Sequence, residues 1–416
     1  MRTTLFIFAL MVRIAAIEAT GGGTIVFGDG PDYVAAARSL CVQHAYPERG
    51  NLPFFRAPGL PFFIAGVTAC DPSRTRAIKY ALAVCDALSV LLIFLIARDL
   101  WSVGRVVRRN PFDVQEVDLV AAPRGAALCA GVLAALHPFF IGGVTDIRTE
   151  PLFMMLLVAA MFLVLREHPE LAGVALGLAA LTRPTALLCI PLFALFAALR
   201  ARAMQRGTLL LLTAALTLAP WMARNYLRFH ELIPVNDAAG FNLWRGTRPD
   251  LMAVIDTHDP ALFARRSQQF ESRTVSEAAK IVDARASTPG TRDREWRRLA
   301  MENLRRDPGF AMRATLKKAA LYWRPWLHPA EHGRTAIVLS VIVIAGLYLL
   351  GAIGMVLYPD RKLVLAVLLF FAVMWLAHVP YFPTIRLRAP LTDPLLIVFA
   401  GGALAAMASR FAARRA

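Results

Sequence analysis

Residues 336–377 read AIVLSVIVIAGLYLLGAIGMVLYPDRKLVLAVLLFFAVMWLA, two apolar runs parted by a short polar turn that contains Arg361-Lys362. The runs, Ala336 to Leu357 and Leu363 to Ala377, carry no charge and approach the ~20 helical residues that cross a hydrocarbon core. One such run suits a buried helix of a soluble protein; a long series does not. Working outward, further runs lie near 4–20, 77–98, 122–137, 151–166, 170–182, 185–199, 207–222 and 391–409. The sequence therefore predicts an all-α polytopic membrane protein with about ten spans. Composition agrees, because 57% hydrophobic against 18% charged residues leaves too little polar surface for a soluble chain of 416 residues.

The formal net charge is +17. In a soluble protein that would suggest nucleic acid, but here the cations fall between apolar runs, which suits membrane lipids or a phosphorylated lipid and argues against nucleic acid. The connectors 98–109, 166–170, 200–206 and 361–362 and the tail 410–415 are short and mostly Arg-rich, so they belong on the cytoplasmic side. They share it only if Gly59 to Ala69, too short to cross at about 11 residues, lies along the interface. The opposite side then holds residues 21–76, the turn 137–150, the Arg183 turn, the loop 223–334 and the turn 378–388. This gives three parts: a transmembrane module 1–222 with its first outer loop 21–76, an outer loop 223–334, and C-terminal spans 335–416. The long loop reads as helical, with a periodic Trp296 to Leu304, a stop at Asp307-Pro308-Gly309 and a mixed apolar and basic Phe310 to Trp323.

Three local features stay open or weakly set. Thr3 to Ala19 reads as a retained first span rather than a cleaved signal, since Arg13 interrupts it and no A-x-A pattern follows. The short runs around Thr182-Arg183-Pro184 form either a hairpin or one broken helix. Cys85, Cys129 and Cys189 lie inside apolar runs as small core residues, and nothing fixes the separation of Cys41 and Cys70, so free thiols are expected over a bridge.

Candidate site residues gather in the outer segments. Asp29 and Asp32 sit in the turn Gly28-Asp29-Gly30-Pro31-Asp32-Tyr33, where a carboxylate serves either as a helix cap or as a general base at the membrane face. Arg56, before Pro58, is either a snorkelling anchor or a phosphate fork. Asp146 and Glu150 precede a span; Arg183 and the pair Arg386 and Arg388 add cations on a face where charge bias predicts few, which implies a shared anionic ligand. Arg224 follows Pro220-Trp221, and Asn242 and Trp244 lie in a glycine-bracketed polar and aromatic stretch suited to sugar stacking.

Together these residues resemble the GT-C membrane glycosyltransferases, in particular the branch of protein O-mannosyltransferases and lipid A aminoarabinose transferases. The resemblance rests on Asp29 and Tyr33, on Arg56 and Pro58, and on Asp146 or Glu150. It also draws on Gly177 to Pro184, on Pro220-Trp221 with Arg224-Asn225-Tyr226, and on Arg386, Arg388 and Pro390. It implies a GT-C-like bundle with interfacial helices in the first outer loop, a polyprenyl-phosphate-linked sugar as donor and Asp29 as catalytic base. Many relatives carry an outer globular domain beyond the point where this chain stops, so acceptor recognition is expected in loop 223–334 or in a partner.

The expected reaction is inverting transfer of a sugar to a lipid, glycan or protein acceptor on the outer face of the inner membrane. In it Arg56, Arg183 and Arg388 hold the donor phosphate, Asp32, Asp146 and Glu150 act as second acids, and Tyr33, Arg224, Asn242 and Trp244 contact sugar or acceptor. No cofactor is expected to be required; a divalent ion held by Asp29, Glu150 and His258 is the minor alternative. The rival readings are a transporter or flippase of lipid-linked saccharides, which would place broken helices and ionisable groups at mid-bilayer, and a non-catalytic envelope scaffold.

Overall fold

The computed structural model describes residues 1–25, 28–47, 54–102, 125–382 and 384–413, and among them every regular element is helical. Five helices are long and apolar enough to cross a bilayer: Thr75–Trp101, Met204–Phe229, Arg334–Leu357, Arg361–His378 and Ile385–Ala412. A sixth crossing arises if Ala126–Ala135 and Pro138–Val144 form one span bent by 46°. The bend falls at His137, whose extended backbone (ψ 119°) is what a following proline favours. Three shorter apolar helices, Glu150–Leu165, Pro169–Thr182 and Ala186–Ala201, and the first helix Arg2–Ala19 pack among these. The ten predicted spans thus have helical counterparts, but length alone certifies five or six. The start of the span 122–137, most of connector 98–109 and the end of the tail 410–415 lie outside the described residues.

Burial explains why the first helix tolerates a charge. Arg13 is fully buried and donates from Nε to Asp86 Oδ2 at 2.6 Å and from Nη1 to the Ala135 carbonyl at 2.6 Å. An unpaired guanidinium in that place would cost several kcal/mol, so the pair fixes this helix to two neighbours as an integral part of the bundle.

The turn at Arg183 is a hairpin. Gly173 and Gly177 lie against Leu210, Thr213 and Thr217 in the same chain direction, whereas Gly207 meets Ala194 and Ala198 in the opposite one. Helices 169–182 and 186–201 are therefore antiparallel, and Arg183 is extended (φ −145°, ψ 121°) before its proline.

The described parts of the short connectors gather at one end of the bundle. At that end Arg166 pairs with Asp99 at 2.9 Å, Trp101 Nε1 donates to Val398 O at 3.0 Å and Tyr358 donates to Leu100 O. The other end carries the long loops. There Gly59–Val67 is a nine-residue helix, about 14 Å long and too short to cross. It packs so closely on the hairpin that a Cβ on Gly59 would lie 2.6 Å from Thr182 Oγ1.

Cys41 and Cys70 form a disulfide, with Cα atoms 5.4 Å apart, correcting the expectation of free thiols. The long loop folds into helices around its own core, which includes Phe241, Trp244 and Trp296. Pro289–Arg306 and Pro308–Tyr322 are its longest helices, and Asp307 between them caps the second by accepting from Phe310 N at 2.8 Å.

Candidate active site

Asp29 lies at the N-terminus of helix Gly30–Gln43, started by Pro31. Its Oδ1 accepts from Arg56 Nη2 at 2.9 Å and its Oδ2 from Arg386 Nη2 at 3.1 Å. Arg56 also grips Asp32 Oδ2, from Nη2 at 2.8 Å and Nε at 3.3 Å. Arg386 turns its Nε to Glu150 Oε1 at 2.6 Å, and Arg183 Nη1 stands 3.6 Å from the same oxygen. The result is a chain of ion pairs, Asp32, Arg56, Asp29, Arg386, Glu150 and Arg183, drawn from the first outer loop, the start of helix 150–165, the hairpin and the last helix.

Arg56 is also held by rings, with its guanidinium carbon 5.2 Å from the Tyr33 ring centre and 5.6 Å from that of Phe54. Burial works against its charge, but Tyr33, Asp29 and Asp32 outweigh it and hold the guanidinium above its ordinary pKa. Burial likewise pushes the Tyr33 hydroxyl up, keeping it neutral. Arg148, facing Glu150, Asp146 and Asp29, is pulled down by burial and by Arg386. Asp146 is buried, with Oδ1 accepting from Ile147 N at 2.8 Å.

Four expected ligand contacts are placed elsewhere. Arg388 is fully buried inside the bundle, bonded to Asp393 at 3.0 Å and to the Tyr348 hydroxyl, with His137 Nε2 at 3.4 Å from the same aspartate. Arg386 takes the place in the cluster foreseen for Arg388, because residues two apart on a helix point about 200° apart. Trp244 is buried in the outer-loop core, its ring 4.7 Å from that of Trp296, with no free face for a sugar. Asn242 donates to Ala238 O at 2.9 Å, at the N-cap of its own helix. Arg224 lies over the rings of Trp221 and Phe229 and donates to Tyr46 O at 3.1 Å. His258 lies near His328, ring centres 6.5 Å apart, and among the described residues no three His, Cys, Asp or Glu side chains group as a metal site would need.

Carboxylates beside exchangeable guanidiniums at a bundle end are suited to binding a phosphorylated group and accepting a proton. Residues 72–254 match the model of glycosyltransferase family 87, a stretch that contains Glu150 and Arg183. That match, over less than half of the chain, falls within the polytopic helical architecture. Among solved structures, the chain is similar to ArnT from Cupriavidus metallidurans bound to undecaprenyl phosphate, at 14% identity and TM-score 0.43, covering 98% of this chain and 78% of that one. The apo state of the same protein aligns at 14% identity and TM-score 0.40, covering 96% and 77%. No curated protein matches.

Proposed function

We propose that the chain transfers a sugar from a polyprenyl-phosphate donor to an acceptor with inversion, at the extracytoplasmic face of the plasma membrane. The observation that carries this reading is the position of Asp29, clasped by Arg56 and Arg386 while Glu150 and Arg183 close the cluster. The side chain of Asp29 remains 30% exposed and that of Arg386 31%, so these bonds are open to exchange with a ligand. A phosphate entering here takes guanidinium hydrogen bonds from the carboxylates, and Asp29 is released to act as a base. The acceptor oxygen then attacks the anomeric carbon from the face opposite the leaving group and gives its proton to Asp29 as the carbon–oxygen bond to phosphate breaks. Both electrons of that bond leave with the polyprenyl phosphate, whose growing charge the arginines stabilise; no protein acid is needed.

Two observations support the outward orientation. The basic connectors around Arg166, Arg200, Arg206 and Arg361 lie at the opposite end, and the Cys41–Cys70 bond belongs in an oxidising compartment. The test uses purified protein in lipid nanodiscs with an undecaprenyl-phosphate-linked sugar. Release of free undecaprenyl phosphate that depends on an acceptor and vanishes in Asp29→Asn is expected; equal release by the variant removes Asp29 from the mechanism.

A further inference from the structure

The two arginines that flank Asp29 sit on arms that enter the outer helical unit from opposite ends of the sequence. Phe54, two residues before Arg56, is buried in that unit's core with its ring 5.3 Å from Phe241. Phe382, four residues before Arg386, packs on the same core. Each arm is also held at its backbone by a buried charged residue. Asp237, 4% exposed, accepts from Phe55 N through Oδ1 at 3.0 Å, while its Oδ2 faces Arg292 at 3.6 Å. Lys318, 3% exposed, donates to Gly246 O and to Pro380 O, both at 2.9 Å. At that seam the chains almost touch, since a Cβ on Gly246 would lie 2.3 Å from Pro380 O.

Neither residue is what packing alone would select. An ammonium buried against two neutral carbonyls costs free energy that an apolar side chain of similar length would not. Burial accordingly pulls Lys318 down to about 8 and pushes Asp237 up to about 7. What the two side chains deliver is placement of specific backbone atoms next to Arg56 and ahead of Arg386.

We propose that Asp237 and Lys318 are positioning residues that lock the Arg56 arm and the Arg386 arm to one outer unit, so that both guanidiniums are set beside Asp29 together. The inference rests on the function proposed above. It makes the outer unit the frame of the phosphate cradle, so that a disturbance of its core reaches the site along both arms.

The experiment compares Asp237→Ala, Asp237→Asn and Lys318→Met with wild type in nanodiscs, reading hydrogen exchange by segment and binding of undecaprenyl phosphate. Asp237→Ala should raise exchange across 54–58 and Lys318→Met across 379–386, with helix Thr75–Trp101 unchanged. Each should weaken undecaprenyl phosphate binding by about ten-fold, the scale of one lost hydrogen bond to a charged group. Asp237→Asn keeps an oxygen for the Phe55 N–H and should restore both readouts. If Lys318→Met does not fold, Lys318→Gln, with a donor for one carbonyl, is read in its place. Unchanged exchange in the arms overturns the inference, and so does raised exchange with wild-type affinity. If wild-type protein has no affinity for undecaprenyl phosphate, the proposed function falls and the inference with it.

Discussion

Arg386 and Arg388 stand two residues apart on one helix and meet opposite fates. Arg386 is 31% exposed and shared between Asp29 and Glu150 at the mouth of the bundle. Arg388 is sealed in the interior with Asp393, Tyr348 and, beyond the aspartate, His137. The interior pair resembles Arg13 with Asp86, which is equally buried. Exposed pairs are held weakly enough to exchange partners, whereas sealed pairs cannot lose one member without stranding the other charge. Identical chemistry is therefore open to exchange at one depth and committed to helix docking at the other.

Measurements on these residues and on Asp29 test that contrast. Asp29→Asn should lower turnover by about 100-fold to 10,000-fold, the range for a lost general base, while the protein stays folded by thermal melt in nanodiscs; near wild-type turnover would place the outer cluster with the structural pairs. Arg388→Ala should cost about 3–5 kcal/mol of stability, seen as loss of folded protein on extraction, because Asp393 is left buried and unpaired. A folded Arg388→Ala that merely fails to bind lipid would reverse the roles of the two arginines. Arg386→Ala should lower kcat by about 100-fold with little change in melting, as for loss of one donor to a developing anion.

A smaller effect concerns Asp237. Burial first of all, with the nearby Asp293, holds its folded-state value at about 7 against an ordinary 3.8. The folded chain binds this proton more tightly than the unfolded chain. Its contribution is therefore complete below the ordinary value and is lost as pH rises through about 7. Melting temperature should fall over that window in wild type, and the slope should flatten in Asp237→Asn. The smallest expected effect is that of chelation: EDTA should leave turnover unchanged if the cluster works through arginines, and strong inhibition restored by a divalent ion would make the carboxylates metal ligands.

Much of this arrangement could be read from the chain. Asp29, Arg56, Glu150 and Arg183 each stand at the edge of an apolar run, and their common face follows from counting crossings with the Arg-rich connectors, once 59–69 is laid along the interface. The choice between Arg386 and Arg388 was not legible, since it depends on the rotation of a helix about its own axis, which tertiary packing sets. Trp244 and Asn242 misled for a related reason. Aromatic residues between glycines suit a sugar platform and a small helical core equally well, and only the helix that packs across them, 289–306, decides. Asp237 and Lys318 carry no local signature; their partners lie 182 and 62 residues away.

The Cys41–Cys70 bond closes a loop of chain that contains Arg56. On the outward orientation proposed above, one arm of the cluster is tethered by a link that forms once the segment reaches an oxidising compartment. On that proposal biogenesis acquires an order: translocation, then thiol oxidation, then a settled arginine pair.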